Sequence, residues 1–230
     1  MLPDHFPQRL ATLPLFQGMS RDDLEHVASH TPFFFARYNK NKPLIQDGDA
    51  CQRLHFLIRG SLVATHYSDN HTYSLSETVN APEVLQIEHL FGLHQHFSRS
   101  FFTRTDCMLV SLDKADVVRL ADEYLIFRLN LLNMLSTRCQ RVARNPWHAR
   151  PTDRRALIVQ FIEERCLRPA GEKWLAIKME RLAAELNDSR RHISATLRSM
   201  ERDGLIILRR GLIRVPSMEL LYFQRVTKQV

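Results

Sequence analysis

The stretch IKMERLAAELNDSRRHISATLRSMERDGLI, residues 177–206, decides how this chain is read. Leu182, Ala183 and Leu186 recur at helical spacing and predict the buried side of a short helix. Asn187-Asp188 then predicts a tight turn, because Asn tolerates the left-handed backbone that such turns require. Asp188 or Ser189 can cap the helix that follows. In that second helix Ile193, Thr196, Leu197 and Met200 fall on one face. Arg191, Ser194, Arg198 and Arg202 fall on the other, with Arg190 at its margin, and Gly204 supplies the C-terminal stop. One face for a core and one face of long donors is what a helix needs to reach base edges. Arginine in the first turn can pair with guanine O6 and N7, and Ser189 can bond a phosphate beside the helix N-terminus.

Working outward, LIILRRGLIRV (205–215) alternates about Arg209-Arg210-Gly211 and predicts a hairpin with a basic tip. Charge follows the same division. Residues 151–230 hold 16 Lys and Arg against 10 Asp and Glu, whereas residues 1–150 hold 16 against 15. Nearly all of the +7 net charge therefore sits in the last third of the chain, which suits a polyanionic partner. A solvated arginine face explains any one of these features alone. Turn, capped basic helix, basic hairpin and regional charge together predict a winged helix-turn-helix at 179–214 that binds double-stranded DNA.

Upstream, residues 33–112 carry short β-rich runs (FFFARY, RLHFLIRGSLVATHY, HTYSLSETV, FFTRTDCMLVSL) punctuated by Gly48, Gly60, Asn70, Pro82 and Gly92, which predicts a barrel or sandwich. SRDDLEHVAS before them reads as a helix capped by Ser20. From about Lys114 to Ala143 the period becomes helical. Leu125, Leu129, Leu132, Ser136 and Cys139 line one stripe, and Phe127, Leu131, Met134 and Leu135 line a second. Two apolar faces call for two partners: the β-domain and a second copy of the helix, in a parallel homodimer. RNPWHARPTD (144–153) reads as a hinge, and a helix over DRRALIVQFIEERCL follows it. The expected α+β organisation is a β-domain over 1–113, a dimerisation helix over 114–145 and the winged helix over 146–230. No apolar run approaches the roughly 20 residues that span a bilayer, and no basic-then-apolar leader opens the chain, so a cytoplasmic protein without a membrane partner is expected. The four cysteines, Cys51, Cys107, Cys139 and Cys166, form no C-x-x-C pair and read as buried free thiols.

From about Leu15 to Val215 the chain resembles the bacterial transcriptional regulators of the cyclic-AMP receptor protein and fumarate-nitrate reduction regulator (Crp/Fnr) family. LFQGMSRDDLEHVA is similar to the family's opening helix, and IQDGDACQRLHFLIRGSLVATH to its barrel strands. TDCMLVSLDKADVVRL is similar to the last strand and dimer helix, and DSRRHISATLRSMERDGLI to its recognition helix. The resemblance implies a cyclic-nucleotide-binding-like double-stranded β-helix barrel, a long dimerisation helix and a winged helix. It also implies a non-catalytic homodimer on a pseudo-palindromic operator, with RNA polymerase as a further partner. By motif position Ser189 takes the phosphate-contact role and Arg190, Arg191 and Ser194 the base-reading one, with Arg198 on the same face and Arg209 and Arg210 on backbone phosphates. Asn187 departs from the family's common Gly.

The sensor end is less regular. Cyclic-nucleotide members carry a Gly-Glu-Leu stretch followed, about ten residues on, by an Arg-Ser/Thr pair that holds the cyclic phosphate. Here Glu88 is present but flanked by Ile87 and His89, and Arg99-Ser100 compete with Phe97-Ser98 for the later pair. A β-branched Ile where backbone must approach a nucleotide argues against cyclic AMP. No cysteine precedes Cys51, which argues against an iron–sulfur cluster. His89, His94 and His96 read either as a solvated loop or as ligands for haem or a metal, the former favoured, so no metal site is assigned and the effector stays unidentified. Two other functions compete with DNA regulation. One is a cyclic-nucleotide- or haem-binding module acting through protein partners. The other is a cupin-like enzyme, which would draw metal ligands from separate strands rather than one loop.

Overall fold

The computed structural model of this chain describes residues 6–144, 147 and 150–227. It divides into two compact units, residues 1–62 with 79–146 and residues 63–78 with 147–230. The first unit opens with α1 (Phe6–Leu10) and α2 (Arg21–His30). Ser20 caps α2 by accepting the Asp23 amide at 3.1 Å, and Asp22 and Asp23 face the positive end of the helix.

Eight strands follow: β1 (Phe34–Tyr38), β2 (Pro43–Ile45), β3 (Arg53–Arg59), β4 (Ser61–Tyr67), β5 (Tyr73–Asn80), β6 (Glu83–Leu85), β7 (Ser100–Thr103) and β8 (Cys107–Asp113). β1, β8, β3 and β6 form an antiparallel sheet in that order, and β2 pairs with β7. Alternation along β3 buries Leu54 and Phe56, and β8 adds Val110 and Leu112 to the same core. Between β3 and β4, Gly60 has φ +93°, and a Cβ there would sit 2.4 Å from the Asp106 carbonyl oxygen. Only glycine fits that turn.

The helical stretch after β8 is two helices, not the single one its periodicity predicts. α3 (Lys114–Glu123) ends at Tyr124, whose extended backbone (φ −119°, ψ 109°) starts the new direction of α4 (Leu125–Arg144). Phe127 and Leu131 are buried, with Phe127 edge-on to Phe16 at 5.1 Å. Asn130 donates its amide to the carbonyls of Leu15 and Gln17, which pins α4 to the N-terminal segment. The hinge expected over 144–153 falls partly outside the described residues.

The second unit contains α5 (Arg154–Glu163), β9 (Lys173–Ile177), α6 (Met179–Leu186), α7 (Arg190–Arg202), β10 (Ile207–Arg209), β11 (Leu212–Val215) and α8 (Met218–Thr227). Its core gathers Ile158, Phe161, Ile162, Leu175, Leu182, Ile193, Leu197 and Ile213. Leu75 of β5 belongs to that core too. β10, β11, β9 and β5 run side by side, so residues 63–78, expected with the first 113 residues, cluster here instead. Among the described residues no helix is long and apolar enough to cross a membrane.

Candidate nucleic-acid interface and sensor cassette

α6 ends at Asn187, which takes the left-handed conformation (φ 50°, ψ 51°) its side chain tolerates. Asp188 then gathers three donors. Arg154 Nε reaches one carboxylate oxygen at 2.6 Å, and the His192 ring and the Ser189 amide reach the other at 2.9 and 2.6 Å. The Arg154 guanidinium first, then His192 and the Ser189 amide, pull the Asp188 carboxyl down to about 2. Asp188 thus holds the turn through an ion network, while Ser189 is the N-cap, its Oγ accepting the His192 amide at 3.2 Å. A hydroxyl that accepts one bond can still donate its proton, so Ser189 retains a donor for an outside anion.

α7 is divided lengthwise. Ile193, Leu197 and Met200 are buried, while Arg190, Arg191, Arg198 and Arg202 are exposed and Ser194 is half-buried. Thr196, expected on the core face, is only half-buried and donates its hydroxyl back to the His192 carbonyl at 2.9 Å. Arg190 lies 3.3 Å from Glu180, with both side chains about two-thirds exposed, a pair that costs little to open. Arg191, Arg198, Arg209 and Arg210 make no ion pair among the described residues. Gly204 (φ +72°) closes the helix, and the Leu205 amide returns to the Met200 carbonyl at 3.0 Å. The β10–β11 hairpin turns through Arg210-Gly211 with Arg209 opposite Leu212, and both arginines are exposed. Glu201 of α7 accepts the Leu208 amide at 2.8 Å and ties hairpin to helix.

In the first unit Glu88 lies in a single 3-10 turn, Ile87–His89, and pairs with Arg138 of α4. Burial, then the neighbouring Arg141, lowers the pKa of Arg138. Ile87 is buried in the core. Ser100 is buried and accepts the Asp47 amide at 3.0 Å, and Arg99 is buried beside it. His94 and His96 are exposed, and the His89 ring Nδ1 lies 3.5 Å from the His94 carbonyl. Among the described residues no three His, Cys, Asp or Glu side chains gather as a metal set. The sequence reading missed Gln86, a buried residue in the left-handed region (φ 39°) whose amide donates to Ser98 at 2.7 Å, with His89 3.1 Å from the same hydroxyl. A long polar side chain inside the apolar run VLQIE is the one local sign of it. Cys51, Cys107 and Cys166 are buried free thiols; Cys139 is exposed on α4, against expectation.

Residues 35–124 match the family described as the cyclic nucleotide-binding domain. Over the whole chain, a protein of Eubacterium rectale classed as a transcriptional regulator of the Crp/Fnr family superposes with a TM-score of 0.50 at 18% identity, covering 92% of this chain and 97% of its own. In fold the chain is like that regulator. Two further structures resemble this chain. The catabolite activator protein of Thermus thermophilus gives a TM-score of 0.49 at 22% identity, with 91% and 96% of the two chains covered. The c-di-GMP responsive global regulator CLP of Xanthomonas campestris gives 0.49 at 19%, with 86% and 99% covered. No curated protein matches this chain.

Proposed function

We propose that this chain is a sequence-specific DNA-binding transcriptional regulator acting as a homodimer, with no catalytic role. One observation carries the reading: α7 buries Ile193, Leu197 and Met200 and turns Arg191, Ser194 and Arg198 outward beside a basic hairpin. In this reading α6 and α7 are a helix-turn-helix, α7 enters the major groove, and β10–β11 is a wing whose Arg209 and Arg210 meet phosphates. Arg190 and Arg191 read bases, and Ser189 bonds phosphate at the helix N-terminus. The relative from Eubacterium rectale is itself classed as a regulator, which agrees with this role.

The apolar stripe of α4 supports dimerisation: Leu125, Leu129 and Leu132 are 57%, 44% and 52% exposed, although a helix in water gains by burying such a stripe. A second copy in parallel would cover them and carry the stripe on through Ser136 and Cys139. In this reading the first unit is the sensor for an unidentified effector, and its cassette fits cyclic AMP poorly. Glu88 is already paired with Arg138, and Ile87 occupies the core where a phosphate would need open backbone.

Selection from a randomised duplex pool with the purified full chain tests the proposal. The expected product is a pseudo-palindrome with half-sites about one helical turn apart. A pool that stays unenriched in moderate salt would sink the DNA-binding reading.

A further inference from the structure

β5 and β9 are far apart in sequence yet pair directly, placing Glu77 opposite Lys173. Their side chains are each 2% exposed, and Lys173 Nζ donates to the Glu77 carboxylate at 2.8 Å. The same carboxylate accepts the Leu167 amide at 2.6 Å and the Arg168 amide at 3.4 Å, while Lys173 also donates to the Ala170 carbonyl at 2.7 Å. Glu77 therefore gathers the loop that leads into β9. β9 in turn sets the return strand of the basic hairpin, through Lys173 opposite Val215 and Trp174 opposite Arg214. Arg209 and Arg210 stand at the far end of that ladder.

An apolar pair would bury this contact without desolvating two charges, so the ion pair offers something other than burial. It offers register. A slip of one residue turns Glu77 to the opposite face of the sheet and leaves a buried carboxylate and ammonium without partners. β5 is thus docked in one position or not docked at all.

We propose that Glu77 is a positioning residue for the wing: through Lys173 and β9 it fixes where Arg209 and Arg210 meet DNA. This rests on the DNA-binding reading above.

The test uses the full-length protein, its selected duplex, fluorescence anisotropy and amide hydrogen exchange. Glu77→Gln is expected to speed exchange over 173–177 and 207–215 and to weaken binding about tenfold. That loss should vanish in an Arg209→Ala/Arg210→Ala background, yet add in full to Arg191→Ala. Glu77→Asp keeps the charge but not the reach to both Lys173 and the Leu167 amide, and it decides the matter if the Gln variant does not fold. Its expected loss is about threefold, again confined to proteins with an intact wing tip. Unchanged exchange in these strands, or a loss that adds in full to the wing-tip variant, would overturn the proposal. If the wild-type protein binds no duplex, the DNA reading fails and wing positioning with it, whereas faster exchange in the Gln variant would still report the latch.

Discussion

Arg191 stands exposed on α7 and Arg209 at the tip of the hairpin, and the two are expected to contribute differently. A guanidinium that reads a base edge matters only for the right base; one on a phosphate matters for every sequence. Arg191→Ala is expected to cost about 1–3 kcal/mol on the preferred duplex and little on a scrambled one, while Arg209→Ala weakens both alike. Competition anisotropy with the two duplexes separates the effects, and equal losses for Arg191→Ala would remove it from base reading. His55, bonded to Ser111 at 2.6 Å, carries a second prediction. Burial, and then the charge of Arg53, lowers its pKa to about 4 from 6.5. The unfolded chain therefore takes up the proton first. The stabilisation from a neutral His55 is complete above about pH 6.5 and is lost progressively as pH falls from there to about 4, on the order of 3 kcal/mol. Thermal melts over that range should flatten in His55→Gln, and an unchanged slope would contradict the assignment. At this scale Asn187, Ser189 and Gly204 are legible in the sequence because each acts on backbone within a few residues of itself. Glu88 with Arg138 and Glu77 with Lys173 are not, since 50 and 96 residues separate the partners.

Secondary elements are legible where a period persists. The strands β1, β3 and β4 fall within the β-rich runs, β5 and β8 overrun theirs by one residue, and α6 and α7 fall within the stretch read as two short helices. The break at Tyr124 has no such mark: apolar residues continue on both sides, and no Gly or Pro interrupts them. β9 is missed because KWLAI is five residues long and its neighbour in the sheet comes from far upstream. α4 carries the element-scale prediction. Leu129→Glu or Leu132→Glu would put a charge into a covered apolar seam and is expected to shift the protein toward monomer by several kcal/mol, since each change counts twice across a two-fold axis. Sedimentation measures it. Parallel, in-register helices also bring the two Cys139 residues together, whereas Cys51, Cys107 and Cys166 are buried. Mild oxidation should yield a linked dimer that Cys139→Ser abolishes. A dimer by sedimentation with no Cys139 link would mean that the helices pair differently.

Across the whole molecule the change of period along the chain separates a β-rich part from a helical, basic one, and charge follows that line. The hairpin over 63–78 crosses it. Nothing local in HTYSLSETV says that its strand completes a sheet begun a hundred residues later, because strand pairing depends on topology and leaves no trace in periodicity. The surplus of six basic residues over 151–230 gives the last prediction. Each phosphate neutralised releases counterions, so log K against log salt should fall with a slope of about −0.9 per contact. Arg209 and Arg210 of both protomers would supply up to four such contacts, and replacing both by Ala should reduce the slope by about 3 to 4. Charge reversal of the Asp22-Asp23 pair on α2, in the nearly neutral first unit, should leave the slope unchanged. If the wing-tip variant kept the wild-type slope, the hairpin would not lie on the phosphate backbone, and recognition would rest on α7 alone.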